Sequence, residues 1–174
     1  MINRMYIVEG AIEENFVEQL RENNIIVPGR VRVWNLMQKK LNHSNPILTK
    51  RVDEIFAIID TDCVESSNLA TFNLNIKELK SIGKVFVLVQ NENFEDELCR
   101  ILNANTIQQL CDYFNVKTSK RKGLKTFLSK GVNYKDRVTK DNIWEYGKNH
   151  SSFIGYDDNL RIQFITGQNL CSHQ

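Results

Sequence analysis

Long apolar runs and paired cysteines are missing from this chain. No apolar run approaches the roughly 18 residues that a membrane-spanning helix needs, so we expect no transmembrane segment. The N-terminus has no basic region followed by a long apolar segment, so no secretory signal is expected. The four cysteines (Cys63, Cys99, Cys111, Cys171) are scattered without a CxxC pair, which argues against a disulfide framework or zinc site. These absences predict a cytoplasmic protein with reduced thiols.

Two further absences narrow the class of protein. The sequence has no GxxxxGK[ST] phosphate-binding loop, so another chain would have to bind any ATP that the function needs. It also has no internal repeat and no low-complexity tract. The chain has 174 residues, of which 41% are hydrophobic and 25% charged. This composition favours one compact domain with a small C-terminal extension.

Short apolar runs predict the strands of a sheet. Ile55–Ile59 and Val85–Val89 are rich in β-branched residues and are typical of strands buried on both faces. Met5–Val8 is a third candidate. Apolar residues at helical spacing follow these strands, namely Ile12, Phe16, Val17 and Leu20, then Phe72, Ile76 and Leu79, then Phe94, Leu98, Ile101 and Leu102. The alternation predicts an α/β fold with a central, mostly parallel sheet and flanking helices.

Weaker patterns predict additional elements. Ile25–Val27 and Val31–Trp34 are short strand candidates on either side of a Pro-Gly turn. Asn35–Leu41 is expected to begin a helix, and Ile107–Phe114 to form another. In the C-terminal part, Leu160–Ile165 is a further strand candidate.

Acidic residues directly follow three of the predicted strands. Glu9 follows the first, Asp60 and Asp62 follow Ile55–Ile59, and Glu95 lies in an acidic cluster after the last. Open α/β sheets place ligands beyond the carboxyl ends of their strands, and carboxylate oxygens are the ligands that Mg²⁺ prefers. Each acid alone is also typical of a turn or a helix start. Their recurrence at three strand ends favours a metal site.

Basic residues are concentrated in one segment. Between Lys117 and Lys140 there are nine basic residues and one acidic residue, which leaves 14 basic and 20 acidic residues elsewhere. An acidic body with a basic segment is typical of a protein that binds a polyanion beside a metal site. The alternative is a solvated lysine-rich helix and loop.

The order of these motifs resembles the Toprim domain of topoisomerases, primases and OLD-family nucleases. The resemblance extends over residues 5–130, and the residues that carry it are Val8-Glu9-Gly10-Ala11-Ile12-Glu13, Ile58-Ile59-Asp60-Thr61-Asp62 and Asn91-Glu92-Asn93-Phe94-Glu95-Asp96-Glu97-Leu98. Within this group the chain looks most like the RloB-type small Toprim proteins of bacterial defence systems. Their Asn-Pro-x-Phe-Glu pattern has proline where this chain has Glu92.

The resemblance implies a Toprim-like core over residues 1–115 and a basic, helical and irregular extension over 116–174 that packs on the core. It also implies a Mg²⁺ or Mn²⁺ site at Glu9, Asp60 and Asp62, with Glu95 as a further metal ligand. Glu13, four residues after Glu9, is expected to assist catalysis.

OLD-like nucleases use a basic residue downstream of their acidic motifs. Lys125, between Leu124 and Phe127, is the candidate in this chain because its apolar neighbours would fix the face of its helix. Such a lysine would neutralise charge in the transition state. Other basic residues are expected to contact a nucleic-acid backbone without reading its sequence, namely Lys117, Lys120, Arg121, Lys122 and Lys130.

The predicted function is metal-dependent hydrolysis of phosphodiester bonds in DNA or RNA, in an antiviral defence system, with a homo-oligomer possible. One alternative is a non-catalytic subunit that binds nucleic acid or regulates an ATPase, because RloB-like proteins are encoded with ATPase partners. A second alternative is a haloacid-dehalogenase-like phosphatase, because Ile58–Asp62 also resembles the nucleophile motif of that family. That family places the motif on its first strand, whereas here another strand precedes it.

Overall fold

Strands and helices alternate along the chain in a computed structural model, which describes residues 2–62, 64–90, 92–118, 120–134, 137–138, 143–144 and 153. The strands are β1 (Arg4–Val8), β2 (Arg30–Val33), β3 (Glu54–Ile59) and β4 (Lys84–Val89). The α-helices in this part of the chain are α1 (Ala11–Glu22), α2 (Ser66–Lys80), α3 (Phe94–Ile101), α4 (Ile107–Tyr113) and α5 (Arg121–Leu128). A short 3-10 helix spans Pro46–Thr49.

The four strands form one sheet in the order β2-β1-β3-β4, and every neighbouring pair is parallel. In register, Tyr6 lies beside Val31 and Phe56, and Phe56 lies beside Phe86. All four carboxyl ends therefore meet at one edge of the sheet. The predicted α/β class, with a parallel sheet and flanking helices, is confirmed, and this architecture agrees with a Toprim-like fold.

Both faces of the sheet are covered by apolar side chains. Tyr6, Phe56 and Phe86 stack across β1, β3 and β4, with ring centroids 5.1 and 5.3 Å apart. Helices α1, α3, α4 and α5 contribute to the same cluster of buried residues as this aromatic row. The opposite face is packed by α2, which buries Phe72 and Ile76 in the second cluster. Burial on both faces explains why β3 and β4 are continuous apolar runs.

The basic segment adds to the first of these clusters. Leu124 and Leu128 of α5 are fully buried, as is Trp144, which follows it in the chain. The backbone N–H of Trp144 donates a 3.0 Å hydrogen bond to Oε1 of Glu97, a fully buried acid that also pairs with Arg100. Residues beyond 115 thus contribute to the same core as the strands.

Ile25–Val27 is not a strand, contrary to the sequence prediction. Asn24 adopts a left-handed conformation with φ of 56° and ends α1. The backbone N–H groups of Ile25 and Ile26 then both point back to the carbonyl of Leu20. These groups are therefore unavailable to a strand ladder, and β2 begins only at Arg30.

Asn35–Leu41 is a series of turns and not the helix that the sequence predicts. The side chain of buried Asn75, on α2, accepts from the N–H of Leu41 and donates to the carbonyls of Leu36 and Lys39. These bonds satisfy loop backbone groups that a helix would have paired.

The predicted strand Leu160–Ile165 lies outside the described residues. Among the residues that are described, no helix is long and apolar enough to span a bilayer.

Candidate functional site

A cavity of about 270 Å³ opens at the carboxyl ends of β1 and β3. The beginnings of α1 and α3, the loop after β2 and one side of α5 complete its wall. The charged and amide side chains of the lining are Glu9, Glu13, Asn35, Asp60, Glu95 and Lys125. The structure thus brings together five of the six residues that the sequence assigns to catalysis or metal binding.

Glu9 directly follows β1, and both of its carboxylate oxygens accept hydrogen bonds. The side-chain Nδ2 of Asn35 donates to its Oε2 at 2.7 Å, and the backbone N–H of Asp60 donates to its Oε1 at 3.3 Å. Asn35 itself cannot rotate freely, because its Oδ1 accepts from the N–H groups of Met37 and Gln38. The Glu9 carboxylate is therefore oriented by its neighbours and retains lone pairs for a ligand.

Asp60 follows β3 and carries a buried oxygen, Oδ1, that has no hydrogen-bond partner among the described residues. Burial and then the charges of Glu9, Glu13 and Asp62 raise the pKa of Asp60 to about 9. Burial likewise raises the pKa of Glu9 to about 7, although the Asp60 N–H opposes the shift. A cluster of acids that repel one another in a desolvated cavity is stabilised by a cation.

Glu13 lies one helical turn after Glu9, on α1. Burial is the main cause that raises the pKa of its carboxyl, the charge of Glu95 raises it further, and Lys125 opposes the shift. Glu13 is therefore close enough to both residues to sense their charges, so α1 and α3 present acids to the same cavity.

Glu95 differs from the other acids because it has basic partners. It is 1% exposed near the start of α3, and its Oε2 lies 3.3 Å from Lys125 Nζ and 3.5 Å from an Arg121 nitrogen. Arg121 also makes two 2.9 Å hydrogen bonds with Asp96. The beginning of α3 is thereby tied to α5.

Asp62 is the predicted ligand that does not line the cavity. Its side chain is exposed, and the backbone N–H groups of Thr61 and Asp62 both donate to the carbonyl of Glu92. This turn directs the chain towards the loop after β4. Asp62 still contributes electrostatically, because its charge helps to raise the pKa values of Glu9 and Asp60.

The carboxylate oxygens of the cavity suit Mg²⁺, although they do not form a complete set of ligands around one ion. Among the described residues, no three aspartate, glutamate, histidine or cysteine side chains are already arranged to hold a metal ion. Mg²⁺ commonly binds one or two carboxylates and keeps several waters. Glu9 and Asp60, with the unpartnered Oδ1 of Asp60, supply such a pair of hard oxygen ligands.

Most of the predicted nucleic-acid-binding residues are exposed. Lys117, Lys120, Lys122 and Lys130 present their side chains to solvent around α5. Arg121 is different, because its guanidinium is engaged by Asp96, Asn93 and Glu95 and is only partly exposed.

Sequence reasoning missed Asn35 and Tyr134. The sequence predicts that Asn35 begins a helix, although its position just after β2, at the same sheet edge as Glu9, is a usable signal. Tyr134 is 1% exposed, and no described residue hydrogen-bonds its hydroxyl. Burial raises the pKa of Tyr134, and the charges of Glu13 and Glu95 raise it further, which places the ring near both acids.

No family model, curated protein sequence or solved structure matches this chain.

Proposed function

We propose that this protein is a Mg²⁺- or Mn²⁺-dependent nuclease that hydrolyses phosphodiester bonds in DNA or RNA, with the cavity as its active site. The observation that carries the proposal is the unpartnered, buried Oδ1 of Asp60 beside the oriented carboxylate of Glu9. Lys125 reaches the same cavity from α5 and adds a positive charge for a phosphate.

Glu9 and Asp60 would hold the divalent ion, and exposed Asp62 would add negative charge at the rim. A bound divalent ion supplies Lewis-acid chemistry, because it polarises a phosphoryl oxygen and promotes the ionisation of water. Glu13, which lines the same cavity and whose pKa is raised by burial, would accept a proton from the attacking water.

Lys125 would donate to a non-bridging phosphate oxygen and offset the charge that develops in the transition state. The exposed lysines around α5 would bind neighbouring phosphates of the strand, namely Lys117, Lys120, Lys122 and Lys130. Contacts of this kind orient a backbone without reading bases, so the proposal covers both DNA and RNA.

The test is cleavage of labelled single-stranded DNA, duplex DNA and RNA with Mg²⁺, Mn²⁺ or a chelator. We expect cleavage only with a divalent ion, and a loss of at least roughly 100-fold in Glu9→Gln and Asp60→Asn. Glu22→Gln, which removes an exposed acid at the end of α1, is the matched control and should retain full activity. The proposal fails if the wild-type protein cuts none of these substrates, or if both site variants cut normally.

A non-catalytic role in nucleic-acid binding, or as the regulatory partner of an ATPase, is the second candidate. The observations that favour it are the incomplete metal cage and the lysine that already balances part of the acidic charge. This role predicts salt-dependent binding of nucleic acid without cleavage. Binding that is unchanged in Asp60→Asn but weakened in Lys120→Ala and Lys122→Ala would support it.

A further inference from the structure

We infer that Glu95 is the counter-ion of Lys125 and not a metal ligand. The Lys125 ammonium then occupies the place where a second divalent ion would bind. The cavity therefore binds one divalent ion. This inference rests on the proposed metal site. It goes further by fixing the number of ions and by giving Glu95 the role of a positioning residue.

The first observation is the pairing of Glu95. Its side chain is almost completely buried, and Oε2 has two basic groups within 3.5 Å, Lys125 at 3.3 Å and Arg121 at 3.5 Å. Both contacts are ion pairs between opposite charges. A divalent ion on this oxygen would have to approach two positive charges that are already in place.

The second observation is the contrast with the other acids of the cavity. In the part of the chain that the structure describes, no lysine, arginine or histidine nitrogen lies within 4.0 Å of a carboxylate oxygen of Glu9, Glu13 or Asp60. The cavity therefore has two halves. On the α3 side, Lys125 and Arg121 offset the negative charge of Glu95. At the ends of β1 and β3, the charges of Glu9 and Asp60 have no such basic partner among the described residues and are available to a cation.

The third observation is that α5 is fixed in place. Arg121 and Lys125 are four residues apart and so lie on one face of α5, which is directed at the beginning of α3. Arg121 donates hydrogen bonds to Asn93 and Asp96. Leu124, which lies between the two basic residues in the sequence, is fully buried. Lys125 is thus held near Glu95 even though half of its side chain is exposed.

The test is titration of the full chain with Mn²⁺, followed by calorimetry and by electron paramagnetic resonance, which detects spin-coupled pairs of ions. We expect one ion per chain and no spin-coupled pair. Lys125→Met should bind Mn²⁺ roughly fivefold more tightly, because a competing positive charge is removed. Lys77→Met removes an exposed lysine from α2, on the opposite face of the sheet, and should leave the affinity unchanged.

Glu95→Gln separates the two roles of that residue. If Glu95 positions Lys125, the variant should weaken Mn²⁺ binding by less than about fivefold, through charge alone. The double variant Glu95→Gln/Lys125→Met, which removes one charge of each sign, should return to the wild-type affinity. A lost ligand would instead weaken binding by more than about tenfold in the single variant, and the double variant would remain weaker than wild type.

Two spin-coupled ions in the wild-type chain would overturn the inference and leave the proposed nuclease standing. A double variant that remains weaker than wild type would also overturn it. If the folded wild-type protein binds no Mn²⁺, the metal site itself fails, and the proposed function fails with it. Should Glu95→Gln not fold, the wild-type stoichiometry and the affinity of Lys125→Met decide the question.

Discussion

The side-chain amide of Asn35 donates a 2.7 Å hydrogen bond to the carboxylate of Glu9, joining the loop after β2 to the end of β1. The orientation of the amide follows from its other bonds, since its oxygen accepts from two backbone N–H groups of the loop. The titratable side chains that line the cavity are all acidic except Lys125. The amide of Asn35 is thus a donor that carries no charge beside Glu9.

Asn35→Asp preserves the acceptor for the loop N–H groups but places a second carboxylate against Glu9. At pH 8 we expect the free energy of unfolding to fall by about 1–3 kcal/mol, the cost of a lost hydrogen bond to a charged group. The loss should shrink at pH 5, where Glu9 is protonated, because its pKa is raised to about 7. Urea unfolding of the wild type and the variant at both pH values measures this loss of stability. Asn42→Asp, in an exposed turn, is the control, and an equal loss at both pH values would contradict the role of Glu9.

The metal-free protein should lose stability as the pH rises. The pKa of Glu9 is raised to about 7 and that of Asp60 to about 9, from ordinary values near 4. Between pH 4 and pH 9 the folded state therefore holds more protons than the unfolded state, so the free energy of unfolding falls through this window. Asp60→Asn should flatten the slope and add about 1–3 kcal/mol at pH 8. Chelator-treated protein whose stability rises from pH 5 to pH 8 would contradict this.

Divalent ions should reverse that pH effect. An ion that binds only the folded state stabilises it, by about 2.7 kcal/mol at 100 times its dissociation constant. Because protons compete for the oxygens of Glu9 and Asp60, the gain in Tm with Mn²⁺ should be larger at pH 8 than at pH 6. Glu9→Gln should abolish most of the gain, and Glu22→Gln should retain it. An equal gain in both variants would place the ion elsewhere.

Asn75 is expected to be a large contributor to stability despite its distance from the cavity. Its buried side chain makes three hydrogen bonds to the backbone of the loop that presents Asn35. Asn75→Ala leaves these groups unpaired and should lower the free energy of unfolding by about 2–4 kcal/mol. Leu74→Ala, an exposed neighbour on α2, should change it by less than about 0.5 kcal/mol. Comparable losses in the two variants, measured by chemical denaturation, would refute this role.

The strands that carry the acids were predictable because burial on both faces forces a continuous apolar sequence. Ile55–Ile59 falls within β3 and Val85–Val89 within β4 for this reason. The acids that follow them meet because parallel strands end at one edge. Lys125 was also predictable as a residue on one face of a helix, from its apolar neighbours.

The errors arise where distant side chains replace local backbone bonding. No pattern within Asn35–Leu41 shows that Asn75, on another helix, will bond its backbone. The exposure of Asp62 depends on the carbonyl of Glu92, which comes from the loop after β4. The pairing of Glu95 with Lys125 likewise depends on how α5 packs against α3, which spacing along the chain does not encode.

The hydrogen bond from Trp144 to Glu97 has a consequence for any attempt to shorten the protein. A truncation at residue 115 would remove the indole that fills the space beside Phe16, together with the N–H that caps a carboxylate with no access to water. Such a fragment would retain β1 to β4 and every cavity acid, yet it would lose the Trp144 N–H that bonds Glu97 and the apolar side chains of α5 that complete the same cluster of buried residues. We therefore expect the smallest fragment that folds to extend at least to Trp144, well past β4, the last strand of the described sheet.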